Sequence, residues 1–321
     1  MKLFIVAFLV LSKVASAEAL YKLNGKVVQK AELPAGIGQS LFEAETKHRE
    51  MMQSLVDEAI FASHLAAEAK KRNKSTNDVA TELVKSKNPS ESELKSFYEK
   101  NKARIGVPFE QVKGELTNYL KTESEQKSRS ELVATLKKKG GFEFLVPEVD
   151  APILQIDTSG SPAKGQKGSK VKLVEFADYQ CPHCKHAHEV LKKFMGKMSG
   201  KIEFVYMDFP INRSGISRRV AEGAYCANQA GKYWEYHDIA FEKQDKLTNE
   251  YPLEIAKTLK LDEAKFKACI DGAESKAYVQ KSMAEGERIG ISGTPSVYLN
   301  GKRVLDWTEE ALTKQVEKAL K

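Results

Sequence analysis

The chain has 321 residues and a nearly balanced charge, with 51 Lys and Arg against 44 Asp and Glu. A chain of this length is expected to fold as about two domains. Its basic residues are spread among the acids and form no patch interleaved with aromatic residues, so the composition indicates a solvated surface and argues against a nucleic-acid partner.

Residues 1–17 have the pattern of a secretory leader. Lys2 precedes an apolar core that runs from Leu3 to Leu11, and the small residues up to Ala17 are typical of a signal-peptidase site. The apolar core is shorter than the roughly 20 residues of a membrane span. Lys13 is unusual so late in a leader, and a retained anchor is the alternative. We expect a signal peptide, and a mature protein that is soluble and periplasmic or otherwise exported.

Residues 18–150 contain no cysteine and are predicted to be mostly α-helical. Asn24 and Gly25, between short β-prone runs, predict a tight hairpin at the start. Helices with apolar stripes at helical spacing follow. Their predicted boundaries are marked by capping boxes at Ser40 with Glu43 and at Ser90 with Glu93, by Pro108 at a helix start, and by Gly140 at a helix end.

This half resembles the N-terminal helical chaperone segment of SurA-type periplasmic folding factors. The likeness lies in the opening hairpin and in segments 55–59, 66–72, 92–102 and 108–113. No prolyl-isomerase domain is inserted between these helices. The resemblance therefore implies client binding or self-association by this half, and not the isomerisation of proline.

Residues 151–321 follow a different order of elements. A small, polar, turn-prone segment at 157–169 predicts a loop or flexible connector. The predicted elements after it are a strand at 171–179, a helix at 184–197, a strand at 202–209, a helical stretch to 289, strands at 296–300 and 303–307, and a last helix. This is an α/β layout with a helical insertion, and we place the domain boundary near 147–151.

Cys181-Pro182-His183-Cys184 lies at the turn from the first predicted strand of this half into the following helix. Two cysteines at this spacing can form a disulfide that opens and closes by thiolate exchange. Unsatisfied backbone N–H groups and the helix dipole should lower the pKa of Cys181, the attacking residue, and the imidazole of His183 should add to this effect. Cys184 is then the resolving thiol.

A structural zinc site is the alternative use of these residues, with His186 and His188 as further ligands. His186 and His188 are two residues apart and should therefore point to different sides of the helix, which argues against a shared zinc site. Haem attachment is excluded because residue 185 is Lys where the haem motif needs His. We therefore expect redox chemistry with no metal and no cofactor.

All four cysteines lie beyond residue 180. If Cys181 and Cys184 form the redox pair, Cys226 and Cys269 remain as partners, and an oxidising compartment favours their pairing. We expect them to form a structural disulfide that stabilises the insertion. A second exchange pair is the alternative, but these cysteines lack the close spacing of active pairs.

The tetrapeptide at 181–184, together with Gly293-Thr294-Pro295 before the late hairpin, resembles the thioredoxin fold and, within it, the DsbA family of exported thiol oxidoreductases. The resemblance covers 171–321, and segments 222–227 and 231–238 resemble the helical insertion of the BdbD-like branch. It implies an α/β thioredoxin fold with a helical insertion at 151–321, preceded by the mostly α-helical domain at 18–150.

The same resemblance implies roles for residues outside the tetrapeptide. Pro295 matches the cis-proline that faces the active disulfide, which would turn the backbone of Thr294 toward an extended client; a plain turn proline is the alternative. Thr294 replaces the valine of the enteric enzyme and occurs in both oxidants and isomerases. Glu175 matches a buried acid that relays protons to the resolving cysteine, whereas the alternative is a surface acid on an edge strand.

We predict an exported protein thiol-disulfide oxidoreductase that introduces disulfides through a mixed disulfide at Cys181. Its implied partners are reduced or misfolded client proteins and a membrane redox partner. Two alternatives stay open. One is a disulfide isomerase that the helical half assembles into a homo-oligomer, and the other is a chaperone or holdase in which that half binds unfolded chains.

Overall fold

The computed structural model describes residues 19–321, apart from the side chains of residues 103 and 104. The predicted leader at 1–17 lies outside the described residues. Two compact units are present: an α/β unit, formed by residues 19–44 and Asp150–Lys321, and a helical unit, Glu45–Val149. The helical unit thus begins later than the helical domain predicted from residue 18. Within residues 19–321, no helix is both long and apolar enough to cross a membrane.

The N-terminal hairpin consists of β1 (Ala19–Leu23) and β2 (Lys26–Gln29), which pair antiparallel. Its two turn residues, Asn24 and Gly25, have φ angles of 49° and 82°. Both angles lie in the left-handed region that a primed hairpin turn requires, and this explains the Asn-Gly sequence.

Helix α1 (Ala35–Arg72) begins before the predicted capping box of Ser40 and Glu43, so that predicted boundary is wrong. The hydroxyl of Ser40 donates instead to the carbonyl oxygen of Gly36, one turn earlier in the same helix, at 2.9 Å. The residues of α1 up to Ala44 belong to the α/β unit and the remainder to the helical unit.

The helical unit also contains α2 (Thr76–Leu83), α3 (Glu91–Ile105) and α4 (Phe109–Lys139). The predicted capping box of Ser90 and Glu93 is confirmed, as are the predicted start and end of α4. Helix α2 was not predicted. The unit buries two small apolar clusters, formed by Phe61, Leu65, Ala69, Val79 and Val133 and by Leu94, Tyr98 and Leu116.

The sheet of the α/β unit has the strand order β3 (Ala163–Gly165), β5 (Glu203–Asp208), β4 (Lys172–Ala177), β6 (Ser296–Leu299) and β7 (Lys302–Val304). Strands β4 and β5 are parallel and the other pairs are antiparallel. Strand β3 lies inside the segment predicted to be a connector. The connector prediction is wrong at 163–165, because these residues pair with β5 at the edge of the sheet. The turn-prone composition of the segment gives no sign of this pairing.

The helices of the α/β unit follow in order as α5 (Pro182–Met198), α6 (Ile216–Gln229), α7 (Tyr233–Glu242), α8 (Tyr251–Thr258), α9 (Glu263–Asp271), α10 (Ala273–Arg288) and α11 (Glu309–Leu320). Helices α6 to α10 form the insertion between β5 and β6, so the predicted α/β layout with a helical insertion is confirmed.

Side chains alternate across the sheet and enter two separate apolar cores. Leu173 and Ala177 of β4 pack in the core that contains α5 and much of the insertion, whereas Val174 and Phe176 enter the core on the opposite face. Glu175 therefore projects toward α5, the helix that begins at the cysteine motif.

Candidate active site

The cysteine motif lies at the N-terminal end of α5. Cys181 is the residue before the helix, with φ −77° and ψ 120°, and Pro182 occupies the first helical position, where its missing N–H group is not needed. The carbonyl oxygen of Cys181 accepts hydrogen bonds from the N–H groups of Cys184 and Lys185, both at 3.1 Å. The Cys181 sulfur lies at this helix N-terminus, close to the backbone N–H groups of His183 and Cys184.

A buried carboxylate holds the turn that leads to Cys181. Asp178 is 1% exposed. Its carboxylate accepts hydrogen bonds from the backbone N–H groups of Gln180 (2.6 Å), Ile211 (2.8 Å) and Asn212 (3.0 Å) and from the hydroxyl of Ser217 (3.2 Å). These bonds join the turn after β4 to the segment after β5.

Gln244, which lies in a short 3₁₀ turn after α7, fixes the same turn from another side. Its side-chain amide donates to the carbonyl oxygen of Tyr179 at 2.8 Å and to that of Cys181 at 3.0 Å. Neither Gln244 nor Asp178 is predicted from the sequence, because each acts through contacts with distant parts of the chain.

The two cysteines of the motif are free thiols in unequal surroundings, since Cys181 is partly exposed and Cys184 is fully buried. The Cys184 thiol, the Thr294 hydroxyl and the backbone N–H groups of Cys184 and His183 lower the pKa of Cys181 to about 5, against the opposing effect of burial. Burial, followed by the neighbouring Cys181, raises the pKa of Cys184. At neutral pH the reduced pair is one thiolate and one thiol.

The side chain of His183 is exposed, and what this residue contributes to the low pKa of Cys181 is its backbone N–H group. His186 and His188 lie on different sides of α5. His186 is exposed, with its ring 5.5 Å from that of Trp307, whereas His188 is 6% exposed. This geometry argues against the zinc site that combined these two histidines with the cysteines.

The loop before β6 lies next to Cys181. The peptide bond between Thr294 and Pro295 is cis, and the Cys181 thiol donates to the carbonyl oxygen of Thr294 at 3.4 Å. Thr294 and Pro295 are both partly exposed. A polypeptide that approaches the Cys181 sulfur would therefore contact the loop of Thr294 and Pro295.

Glu175 is buried below the motif, with 2% exposure, on a strand flanked by β5 and β6. The alternative of a surface acid on an edge strand is therefore wrong. Burial, with a smaller contribution from Cys181, raises the pKa of Glu175 to about 8, and the positive charge of Lys164 opposes the rise. At neutral pH this carboxyl is mostly protonated.

Lys164 is a further residue of the site that the sequence does not predict. It lies on the edge strand β3, and its amine is 4.1 Å from the ring centroid of Trp234. Burial lowers the pKa of Lys164, whereas Asp238 and Glu175 oppose that change. In the sequence, Lys164 lies in a Gly- and Ser-rich segment and cannot be distinguished from a surface lysine. Its side chain becomes partly buried only because β3 pairs with β5.

Cys226 and Cys269 form a disulfide between α6 and α9, with a Cα–Cα distance of 5.9 Å. Cys226 is 5% exposed. Cys226 belongs to the same buried apolar core as Tyr233 and Tyr236, and Cys269 packs against that core.

Comparisons with known proteins agree with this geometry. The family model described as Thioredoxin matches residues 157–318, half of the chain. Disulfide bond formation protein D of Bacillus subtilis is 27% identical over 184 residues, which are 54% of this chain and 82% of that protein. Na⁺/H⁺ antiporter NhaA 3 of Salinispora tropica is 24% identical over 210 residues, which are 63% of this chain but only 30% of the antiporter.

The crystal structure of oxidised BdbD from Bacillus subtilis is similar at 24% identity and a TM-score of 0.49, over 53% of this chain and 98% of that one. The resemblance of the helical unit to SurA-type segments stays a prediction. Because the matching family model spans half of the chain, the protein belongs to the thioredoxin family, and the relatives that its C-terminal half matches include proteins named for disulfide bond formation.

Proposed function

We propose that the protein introduces disulfide bonds into reduced client proteins through a mixed disulfide at Cys181. The observation that carries this proposal is the contrast within the cysteine pair. One sulfur is accessible and has a pKa of about 5, while the other is buried with a raised pKa. A pair that is stable as thiolate and thiol holds its disulfide weakly and passes it to clients.

The reaction begins with the disulfide between Cys181 and Cys184. A client thiolate attacks the accessible sulfur of Cys181, the bond to Cys184 breaks, and Cys184 leaves with the electron pair. Because the pKa of Cys184 is raised, this sulfur takes up a proton, and the protonated carboxyl of Glu175 is the proposed donor.

A second client thiolate then attacks the client sulfur of the mixed disulfide. The client disulfide forms and Cys181 leaves as a thiolate, which its low pKa favours. The client has lost two electrons and the pair has gained them. The backbone of Thr294 and Pro295, next to Cys181, is the proposed binding surface for the extended client. A membrane redox partner that restores the disulfide stays a prediction.

Transfer of one disulfide to a reduced, unfolded client tests the proposal. The oxidised protein should oxidise about one equivalent of client dithiol, scored by alkylation of the remaining client thiols. With a client that carries a disulfide, the Cys181 thiolate of Cys184→Ala should attack that bond and displace one client sulfur as a thiolate, and the mixed disulfide should accumulate because the Cys184 thiol that would release the client is missing. Failure of both the transfer and the accumulation contradicts the proposal.

We also propose that the protein acts outside the cytoplasm, since the predicted leader at 1–17 would direct export. Export should leave a mature chain that begins at Glu18, which N-terminal sequencing of the protein from the natural host would detect. A mature protein that retains Met1 in the cytoplasm contradicts this part of the proposal.

Client binding by the helical unit is a second candidate function. A groove of about 560 Å³ in this unit is lined by apolar Phe97 and Leu120 and by Lys87, Lys100 and Lys127, among others. Tyr119, 54% exposed, has its ring 5.4 Å from that of Phe97. If the groove binds unfolded chains, the full-length protein should suppress client aggregation and Tyr119→Ser should weaken that effect. Equal suppression by both proteins contradicts this function.

A further inference from the structure

Two histidines and one carboxylate converge between α5 and α7. His188 belongs to α5, and His237 and Asp238 belong to α7. One donor atom from each residue lies within 4.8 Å of the other two. His188 and His237 are 6% and 2% exposed, so the cluster is far more enclosed than a typical group of surface acids.

Two of these donors are buried without a hydrogen-bond partner. They are Nε2 of His188 and Oδ1 of Asp238, which are 3.8 Å apart. This separation is too long for a hydrogen bond. Two ligands of a tetrahedral zinc ion lie about 3.4 Å apart when the metal–ligand bonds are about 2.1 Å, so an ion between these atoms would satisfy both.

The surroundings already orient the rings. The hydroxyl of Tyr179 is 3.1 Å from Nδ1 of His237, the kind of contact that orients metal-bound imidazoles. The ring of His188 stacks on Phe241 at 5.0 Å.

Positive charges lie near the cluster and oppose a cation. The Lys192 amine is 2.8 Å from Oδ2 of Asp238, but it is also 3.2 Å from the Glu242 carboxylate, which balances it. Lys164 is close enough to affect both histidines, and burial lowers its own pKa. The oxygen Oδ1 of Asp238 remains available.

We propose that His188, His237 and Asp238 bind one divalent transition-metal ion of the zinc class, with a solvent molecule in the fourth position. Imidazole and carboxylate donors suit Zn²⁺, Co²⁺ and Cu²⁺, whereas Mg²⁺ and Ca²⁺ prefer oxygen donors alone. The ion would join the helix that carries the cysteine motif to the helical insertion. This site uses neither thiol, so it is independent of the proposed function.

Metal titration of the full-length chain carrying Cys181→Ser and Cys184→Ser tests the site, because this background removes the thiolates as competing ligands. It should bind one equivalent of Zn²⁺. With Co²⁺ it should give the visible bands of a four-coordinate site without a sulfur charge-transfer band. Saturating Zn²⁺ should also raise the thermal unfolding midpoint.

In the same background, His188→Gln and Asp238→Asn should each weaken Zn²⁺ binding by at least roughly tenfold. His186→Gln is the matched control, since His186 lies on the same helix but is exposed, and it should bind Zn²⁺ as before. If the substitution at buried His188 prevents folding, the test rests on Asp238→Asn, because the side chain of Asp238 is partly exposed. No stoichiometric uptake, or uptake that survives the Asp238 change, overturns the proposal.

Discussion

The two cysteine pairs of the α/β unit have opposite surroundings. Cys181 and Cys184 share one turn at a helix start, where one sulfur is accessible and the two pKa values move in opposite directions. Cys226 and Cys269 are 43 residues apart in the sequence and join two helices of the insertion. Thiol exchange therefore requires an accessible sulfur and two thiols of unequal acidity, whereas a disulfide without these features acts as a cross-link.

The largest expected effect is the loss of client oxidation in Cys181→Ser. This change removes the sulfur that forms the mixed disulfide, so transfer to a reduced client should fall to the uncatalysed rate. The double variant Cys226→Ala with Cys269→Ala is the matched control and should retain transfer per folded molecule. Loss of client oxidation in the control, together with retained oxidation in Cys181→Ser, would contradict the roles assigned to the two pairs.

Removal of the second pair should instead reduce stability. A loop of 43 residues corresponds to about 4 kcal/mol in the chain-entropy view of disulfides. Denaturant unfolding, followed in the α/β unit through Trp234 and Trp307, measures the difference between the parent and Cys226→Ala with Cys269→Ala. An unchanged free energy of unfolding would show that this bond is not a structural cross-link.

Glu175→Gln should slow the step in which Cys184 leaves, by roughly a hundredfold, because a general acid is lost. Since the pKa of Glu175 is about 8, the protonated acid is present below this value and disappears as the pH rises through it. Stopped-flow fluorescence of mixed-disulfide formation should show this decline in the parent and not in the variant. Identical pH profiles would remove Glu175 from the reaction.

The smallest expected effect is a change of slope in the pH dependence of the reduction potential. Below about pH 5, reduction takes up two protons and the potential should fall by about 59 mV per pH unit. Between about pH 5 and the raised pKa of Cys184, only Cys184 takes up a proton, and the slope should be about 30 mV. A slope of about 59 mV up to pH 8 would show that Cys181 is not unusually acidic.

The parts of the fold that follow from the sequence are those with local causes. The cysteine motif, the Asn24-Gly25 turn and the cap at Ser90 are each specified by neighbouring residues, and the structure forms each of them. Strand β3, Lys164 and Gln244 were not predicted. Each depends on a partner far along the chain, and hydrophobic periodicity carries no signal for such a contact.

The redox equilibrium of the Cys181 and Cys184 pair with glutathione decides whether this pair donates disulfides. Because the thiolate of Cys181 stabilises the reduced pair, we expect an oxidising potential, nearer the value of about −120 mV for DsbA than the value of about −270 mV for thioredoxin. A potential at or below about −270 mV would contradict the proposed role as a disulfide donor, since the pair would then be a reductant.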